Sequence, residues 1–320
     1  MMRVLAVACA IVWLALTGLQ APPAPEKQGA GLAARYPGDR GIEGDPAVLF
    51  RADFERGDTR DWDESKGPVT VTGERPRAGA RCLEIPMHRG RDTGGHLIKW
   101  FRPGADTVYA RFYVRFSKDY RYSHHFVCLL ANPPNNRWGA FGKAGLKPDG
   151  TYFSSGMEPW FAWGKNPPPG EVNLYTYYPD MDADPKMNRY WGNAFFPPGP
   201  GKGRAAGPDR VIPPLDRWQC WEFMIRANSA ADRADGRQAM WVNGRLVGSF
   251  TGIRWRTHPD VKVDCLWLEH YGYDDGDPTR EYWTDSQTVW FDDVVVATRY
   301  IGPMARAGAV NAPGAARGPR

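Results

Sequence analysis

From Val108 to Phe116 the chain alternates without a break. Val108, Ala110, Phe112, Val114 and Phe116 are apolar, and Tyr109, Arg111, Tyr113 and Arg115 lie between them. Successive side chains of a β-strand point to opposite faces, so the pattern gives a strand with one core face and one Tyr/Arg face. The same period of two, with aromatic and β-branched enrichment and Gly/Pro punctuation, recurs from Val48 to Ile301, while no window holds a sustained helical stripe. An all-β domain follows, with further strands expected over 124–130, 151–157, 172–178, 218–226, 261–271 and 288–297. Residues 238–250 read as a hairpin, because Asn243-Gly244 supplies the two positive-φ positions of a tight turn. Many strands with long connections imply a two-sheet antiparallel sandwich.

The ends of the chain read differently. Arg3 precedes an uncharged apolar run from Val4 to Leu19 that closes among small residues and prolines, the layout of a secretory signal peptide over 1–24. The run is shorter than the roughly 20 residues a spanning helix needs, so no membrane span is expected after cleavage, and the destination is secreted or periplasmic. Residues 25–46, rich in Ala, Pro and Gly, read as a flexible leader, and 304–320 as a disordered tail. What remains, 47–303, fits one β domain, expected to be a monomer.

The formal net charge is +5, but removing Arg3 with the signal and Arg306, Arg317 and Arg320 with the tail leaves +1. A nucleic-acid binder carries a strong basic field on its folded part, so no nucleic-acid partner is expected. Cys82, Cys128, Cys220 and Cys265 remain after cleavage. They allow disulfides in an oxidising compartment, yet each lies in an apolar strand-like segment where a buried thiol is ordinary, and the two readings stand level.

The stretch 132–206 is irregular and rich in rings and prolines. Long loops in a compact domain are functional or disordered, and their aromatic content favours walls of a cleft. Several strands pair an apolar face with a face of ring, amide and charge: Asn173, Tyr175 and Tyr177 on one, Trp267, Glu269 and Tyr271 on another, Tyr109, Arg111 and Tyr113 on a third. Such faces suit sugars, whose apolar ring faces stack on aromatics while polar side chains take the hydroxyls; a solvated Tyr/Arg sheet is the plainer alternative. Trp191 in the loops joins the candidate binding residues. Alternation sends His124 and His125 to opposite faces, so at most one shares the wet face, where it can serve as a proton acceptor; a strand cap in solvent and a hydrogen-bonded core histidine is the equal alternative. His96 is a second such candidate, and Lys99 a charge partner for an acidic sugar. Glu55 and Asp293, on terminal strands expected to lie side by side, are candidates for a structural calcium cage; ordinary turn chemistry is the alternative. Asp274-Asp275-Gly276-Asp277 reads as a solvated turn. No organic cofactor is implied.

The opening Leu49-Phe50-Arg51-Ala52-Asp53-Phe54-Glu55, the central Trp241-Val242-Asn243-Gly244-Arg245-Leu246-Val247-Gly248 and the closing Trp290-Phe291-Asp292-Asp293-Val294-Val295-Val296 resemble the concanavalin A-like jelly-roll superfamily, in particular its polysaccharide-lyase-like members. The resemblance implies a β-jelly-roll sandwich with a concave groove and long aromatic loops. For lyase members it implies a His/Tyr pair with basic or amide neighbours that abstracts the C5 proton of a uronic acid. Carried onto this chain, Arg111 meets the carboxylate, His124 or His125 is base or neutraliser, and Tyr175 or Tyr177 is acid/base. Hydrolases of the same fold resemble a Glu-x-Asp-x-(x)-Glu pattern that this chain lacks, and Glu222 and Glu269 are isolated, so elimination ranks above hydrolysis. The expectation is a secreted protein that binds a uronate-containing polysaccharide and cleaves it by β-elimination; a non-catalytic, lectin-like carbohydrate-binding domain is the alternative.

Overall fold

The alternating segment lies in the middle of a sheet. The structure, a computed structural model, describes residues 30–197, 210–272 and 284–306. The expected signal peptide, the first residues of the expected leader, the expected tail from 307 and Asp274-Asp275-Gly276-Asp277 lie outside the described residues.

In chain order the strands are β1 (Val48–Ala52), β2 (Glu64–Lys66), β3 (Thr70–Thr72), β4 (Cys82–His88), β5 (Gly94–Ala105), β6 (Thr107–Phe116), β7 (Val127–Asn132) and β8 (Phe153–Trp160). There follow β9 (Glu171–Tyr177), β10 (Asn193–Phe195), β11 (Gln219–Arg226), β12 (Gly236–Val242), β13 (Arg245–Ile253), β14 (Lys262–Tyr271) and β15 (Ser286–Ala297). They form two sheets. The first runs β13-β12-β11-β6-β15-β4-β3, with β1 also on β15; the second runs β10-β9-β8-β7-β14-β5-β2. Every pairing between named strands is antiparallel, and the chain crosses repeatedly between the sheets, which is the jelly-roll sandwich expected from the sequence. The hairpin is where the Asn-Gly signal puts it: Asn243 and Gly244 have φ of 52° and 77° between β12 and β13.

The core lies between the sheets. Val108, Ala110, Phe112, Val114 and Phe116 are all buried against Leu129, Leu174, Leu266 and Leu268 of the second sheet, so the alternation of β6 is read correctly on its apolar side. Its other side is not a wet face. Arg111 is fully buried and Tyr113 nearly so, because the segment expected to be a flexible leader folds over them as three short 3-10 turns, Leu32–Arg35, Pro37–Asp39 and Ile42–Gly44. Leu32, Ala33 and Ile42 are buried there with Val295 and Ile301, and the Arg111 guanidinium is paired with the buried carboxylate of Asp39. The start of the expected tail belongs to the same layer: Met304 N–H donates to the Tyr113 hydroxyl at 2.9 Å, and Gly38 N–H to the Ala305 carbonyl at 2.9 Å. Glu222 serves this layer too, accepting from Ile301 and Gly302 N–H at 2.8 Å each.

The four cysteines are free thiols, Cys82 and Cys220 on the first sheet and Cys128 and Cys265 on the second. Among the described residues no helix is long and apolar enough to cross a membrane.

Candidate active site

The outer face of the first sheet is covered, which leaves the outer face of the second for chemistry. Its residues follow from strand parity: Asn173, Tyr175 and Tyr177 on β9 alternate with buried Val172, Leu174 and Thr176, and Trp267, Glu269 and Tyr271 on β14 alternate with buried Leu266, Leu268 and His270. Register brings β5 alongside, with His96 opposite Glu269. The His96 ring meets Trp267 edge-on at 5.6 Å, and burial together with Lys66 holds this imidazole below its ordinary value.

Both histidines reach this face. His124 and His125 precede β7, and their N–H groups both donate to the Tyr271 carbonyl, at 2.7 and 3.2 Å. Two residues facing one is the arrangement of a β-bulge, which cancels the alternation expected to separate them. Their rings lie 4.3 Å apart, and the His125 ring is 5.4 Å from Tyr175 and 6.1 Å from Tyr271. The hydroxyl of Tyr122 and Nδ1 of His124 are 3.0 Å apart. Burial brings the His125 imidazole down to about 4, so it is neutral at ordinary pH.

Tyr175 and Tyr177 complete the corner. Their hydroxyls are 3.5 Å apart, and Gly192 N–H donates to Tyr175 at 2.8 Å. A Cβ at Gly192 would stand 2.5 Å from the Tyr175 ring, so only glycine lets the loop lie on it. Trp191, half-buried, belongs to that loop. Burial pushes both phenols up, Tyr175 further through its neighbour Tyr177, so both keep their protons.

Sequence reasoning missed Glu158. It sits on β8 beside Asn173 of β9, with its side chain 9% exposed and one carboxyl oxygen 3.7 Å from His125 Nδ1. The strand was expected over 151–157; it continues to Trp160, with Glu158 opposite Asn173 and Pro159 opposite Val172. Burial raises Glu158 well above the ordinary carboxyl range, and burial together with Glu158 does the same to Glu269. A row of rings also went unread: Trp267 to Phe141 at 4.9 Å, Phe141 to Trp138 at 5.0 Å, and Trp138 to Trp100 at 4.7 Å. Trp100 lies on the outer face of β5, and the loop before β8 brings the other two rings to it.

Other expected site residues lie elsewhere. Arg111 is sealed under the first sheet, held by Asp39 and by the Asp293 carbonyl at 3.0 Å, and meets neither the histidines nor the tyrosines. Tyr109 packs on Trp241 and Tyr300, and Tyr113 under Arg77, in the same covered layer. Lys99 has the parity of core-facing Leu266 and bonds Asp63 at 3.1 Å. Glu55 and Asp293 do share a place, lining one cavity of about 560 Å³ outside the first sheet. Their oxygens are committed, Glu55 to the N–H groups of Ala80 and Arg81, Asp293 to the Arg77 guanidinium at 2.9 Å. With that cation in place these groups do not fit a calcium cage, and among the described residues no group of three or more His, Cys, Asp or Glu is placed to hold a metal.

No protein-family model and no curated protein matches the sequence. Solved structures match over most of the chain. A marine PL-14 alginate lyase from Aplysia kurodai aligns at 12% identity, covering 78% of this chain and 98% of that one, with a TM-score of 0.56. The alginate lyase vAL-1 from Chlorella virus aligns at 16%, over 79% and 100%, with 0.53. The alginate lyase Aly36B aligns at 15%, over 81% and 99%, with 0.51; a variant of it is solved in complex with an alginate trisaccharide. Identities this low carry the architecture and not the activity. The chain has the concanavalin A-like jelly-roll fold of these polysaccharide lyases.

Proposed function

We propose that the protein binds a uronate-containing polysaccharide along the outer face of the second sheet and cleaves it by β-elimination. The observation that carries this reading is the meeting of His125, Tyr175 and Tyr177 in one corner of that face, with their rings in contact. The likeness in fold to alginate lyases supports it.

Elimination needs a base for the C5 proton, an acid for the leaving glycosidic oxygen, and a partner that blunts the uronate carboxylate so that C5–H becomes acidic. His125 is the base, since burial keeps its imidazole neutral and its Nδ1 makes no close bond to Glu158. Tyr177 is the acid, since burial keeps its hydroxyl protonated. The C5–H bond breaks toward His125, its electrons form the C4=C5 double bond, the C4–O bond breaks, and the leaving oxygen takes the proton of Tyr177. The imidazolium then returns its proton to the phenolate by way of the Tyr175 hydroxyl, and both groups are restored. Tyr175 is a positioning residue, fixed by Gly192. The row Trp267, Phe141, Trp138 and Trp100 offers stacking faces for sugars beyond the reacting unit. The N-terminal apolar run supports export, so that the polymer is met outside the cytoplasm.

The same row of rings also suits a carbohydrate-binding domain without turnover. Incubation of the folded chain with alginate, glucuronan, pectate and glycosaminoglycans separates the readings. A conjugated, ultraviolet-absorbing product from one of them supports elimination. New reducing ends without that chromophore overturn it in favour of hydrolysis, with Glu158 and Glu269 in the two carboxylate roles. Retained binding with neither product leaves the binding domain.

A further inference from the structure

The proposed elimination leaves one role unfilled: with Arg111 under the first sheet, something else must meet the uronate carboxylate. We infer that Glu158 and Glu269 hold that carboxylate between them by O–H donation, an acid–acid clamp in place of a basic residue. The inference rests on the reading of this face as a uronate site and names its specificity element.

The geometry comes from the bulge. Phe126, next after His125, turns into the core, where it is 1% exposed and packs on Phe116, Trp221 and Phe291. Register sets Met157 opposite Val127 and Trp267 opposite Cys128. Counting on from those pairs, Glu158 and Glu269 come level with Phe126 from its two sides. Because Phe126 points inward, it presents no side chain on the outer face, and a glutamate stands level with it on either side. Each glutamate is 7% exposed, enough to present an edge to a ligand on this face.

Among the described residues neither glutamate pairs with Arg or Lys, and the groups that face them are His125 and Cys128 from the β7 side, Asn173, Tyr175 and Tyr177 from β9, and His96 from β5. Lys66 of β2 acts on His96. Two nearly buried carboxyls, one within the field of the other, cannot both ionise at ordinary pH, and burial favours the neutral form of each. A neutral carboxylic acid is a hydrogen-bond donor, and an O–H donated to a carboxylate is among the strong, short hydrogen bonds. A sugar without the carboxylate gains much less from the clamp. An incoming anion also favours retention of both protons, so uronate affinity is tied to pH.

The test is calorimetric binding of a saturated oligouronate and of its carboxyl-reduced counterpart, with wild type and the double variant Glu158→Gln, Glu269→Gln, whose amides donate at every pH. The clamp requires that wild type lose oligouronate affinity about tenfold or more as pH climbs from about 5 to about 10, past the highest values documented for a buried glutamate, with the double variant flat across the same range and the reduced sugar flat with both proteins. The double variant retains His96, His124 and His125, so a flat response in it assigns the pH dependence to the glutamates. A pH-independent wild type overturns the clamp, as does a folded double variant that loses oligouronate affinity at both pH values. The chromophore assay, run on the same wild-type preparation, keeps the two proposals apart. Chromophore with pH-independent binding sinks the clamp alone, while pH-dependent binding without chromophore sinks elimination and leaves the clamp standing.

Discussion

The Nδ1 atom of His125 lies 3.7 Å from a carboxyl oxygen of Glu158, too far for a hydrogen bond. An imidazole bonded to an ionised carboxylate would be stabilised as the cation and drawn up in pKa; this one is neutral, with burial bringing it to about 4. A nitrogen left without that bond is what a proton acceptor needs.

Replacing His125 with Asn keeps a polar group of similar size and removes the base. Turnover of the preferred oligouronate is expected to fall by about two to four orders of magnitude, with KM changed little. Initial rates from the conjugated product give both constants.

The acid limb of the pH profile carries a second expectation. With His125 at about 4, kcat/KM rises as pH climbs through about 4 and is fully developed below the usual histidine range. A limb centred near 6.5, the ordinary value of a free imidazole, would remove His125 as the base.

Asp39 is the sole carboxylate paired with the buried Arg111 among the described residues. Asp39→Ala leaves that guanidinium buried and uncompensated, and a loss of about 3–5 kcal/mol is expected. Chemical denaturation measures it, and oligosaccharide binding to the folded fraction should stay near wild type, because the change lies outside the first sheet and the site outside the second.

How much of this was legible depended on the range of the interaction that decided it. The core side of β6 and the outward residues of β9 and β14 followed from alternation, which is local. The polar side of β6 did not, because whether Arg111 meets water or a lid depends on residues 32–44 folding back across about seventy positions of sequence. His124 and His125 share a face through a bulge, and one extra residue in a strand leaves no compositional trace. Glu158 lies one residue past the expected end of its strand, and only pairing with β9, a contact between strands, carries β8 through it.

His270 bears on stability as a function of pH. It is fully buried, its Nδ1 sits 2.8 Å from the Ile85 carbonyl, and burial brings it down to about 4. A free imidazole titrates near 6.5, so the unfolded chain binds the proton first. Its contribution is therefore present above about 6.5 and is lost as pH falls toward about 4. Thermal melts across that window should show a shallower dependence for His270→Gln than for wild type; equal slopes would count against it.

Trp138 is 42% exposed on the row of rings. Trp138→Ala should weaken long oligosaccharides by about three- to tenfold, the worth of one stacking contact, and leave the shortest ligands unchanged. Affinities measured against chain length locate where the sugar path crosses this ring.

The two ends of the described chain are bonded to each other outside the first sheet, Leu32 N–H to the Tyr300 carbonyl at 3.0 Å and Gly38 N–H to the Ala305 carbonyl at 2.9 Å. The first and last described segments therefore lie together in the layer outside the first sheet, on the side away from His125, Tyr175 and Tyr177 of the second. On the proposed reading, a bead that held the domain by this layer would leave the face carrying His125, Tyr175 and Tyr177 turned outward toward an added oligosaccharide.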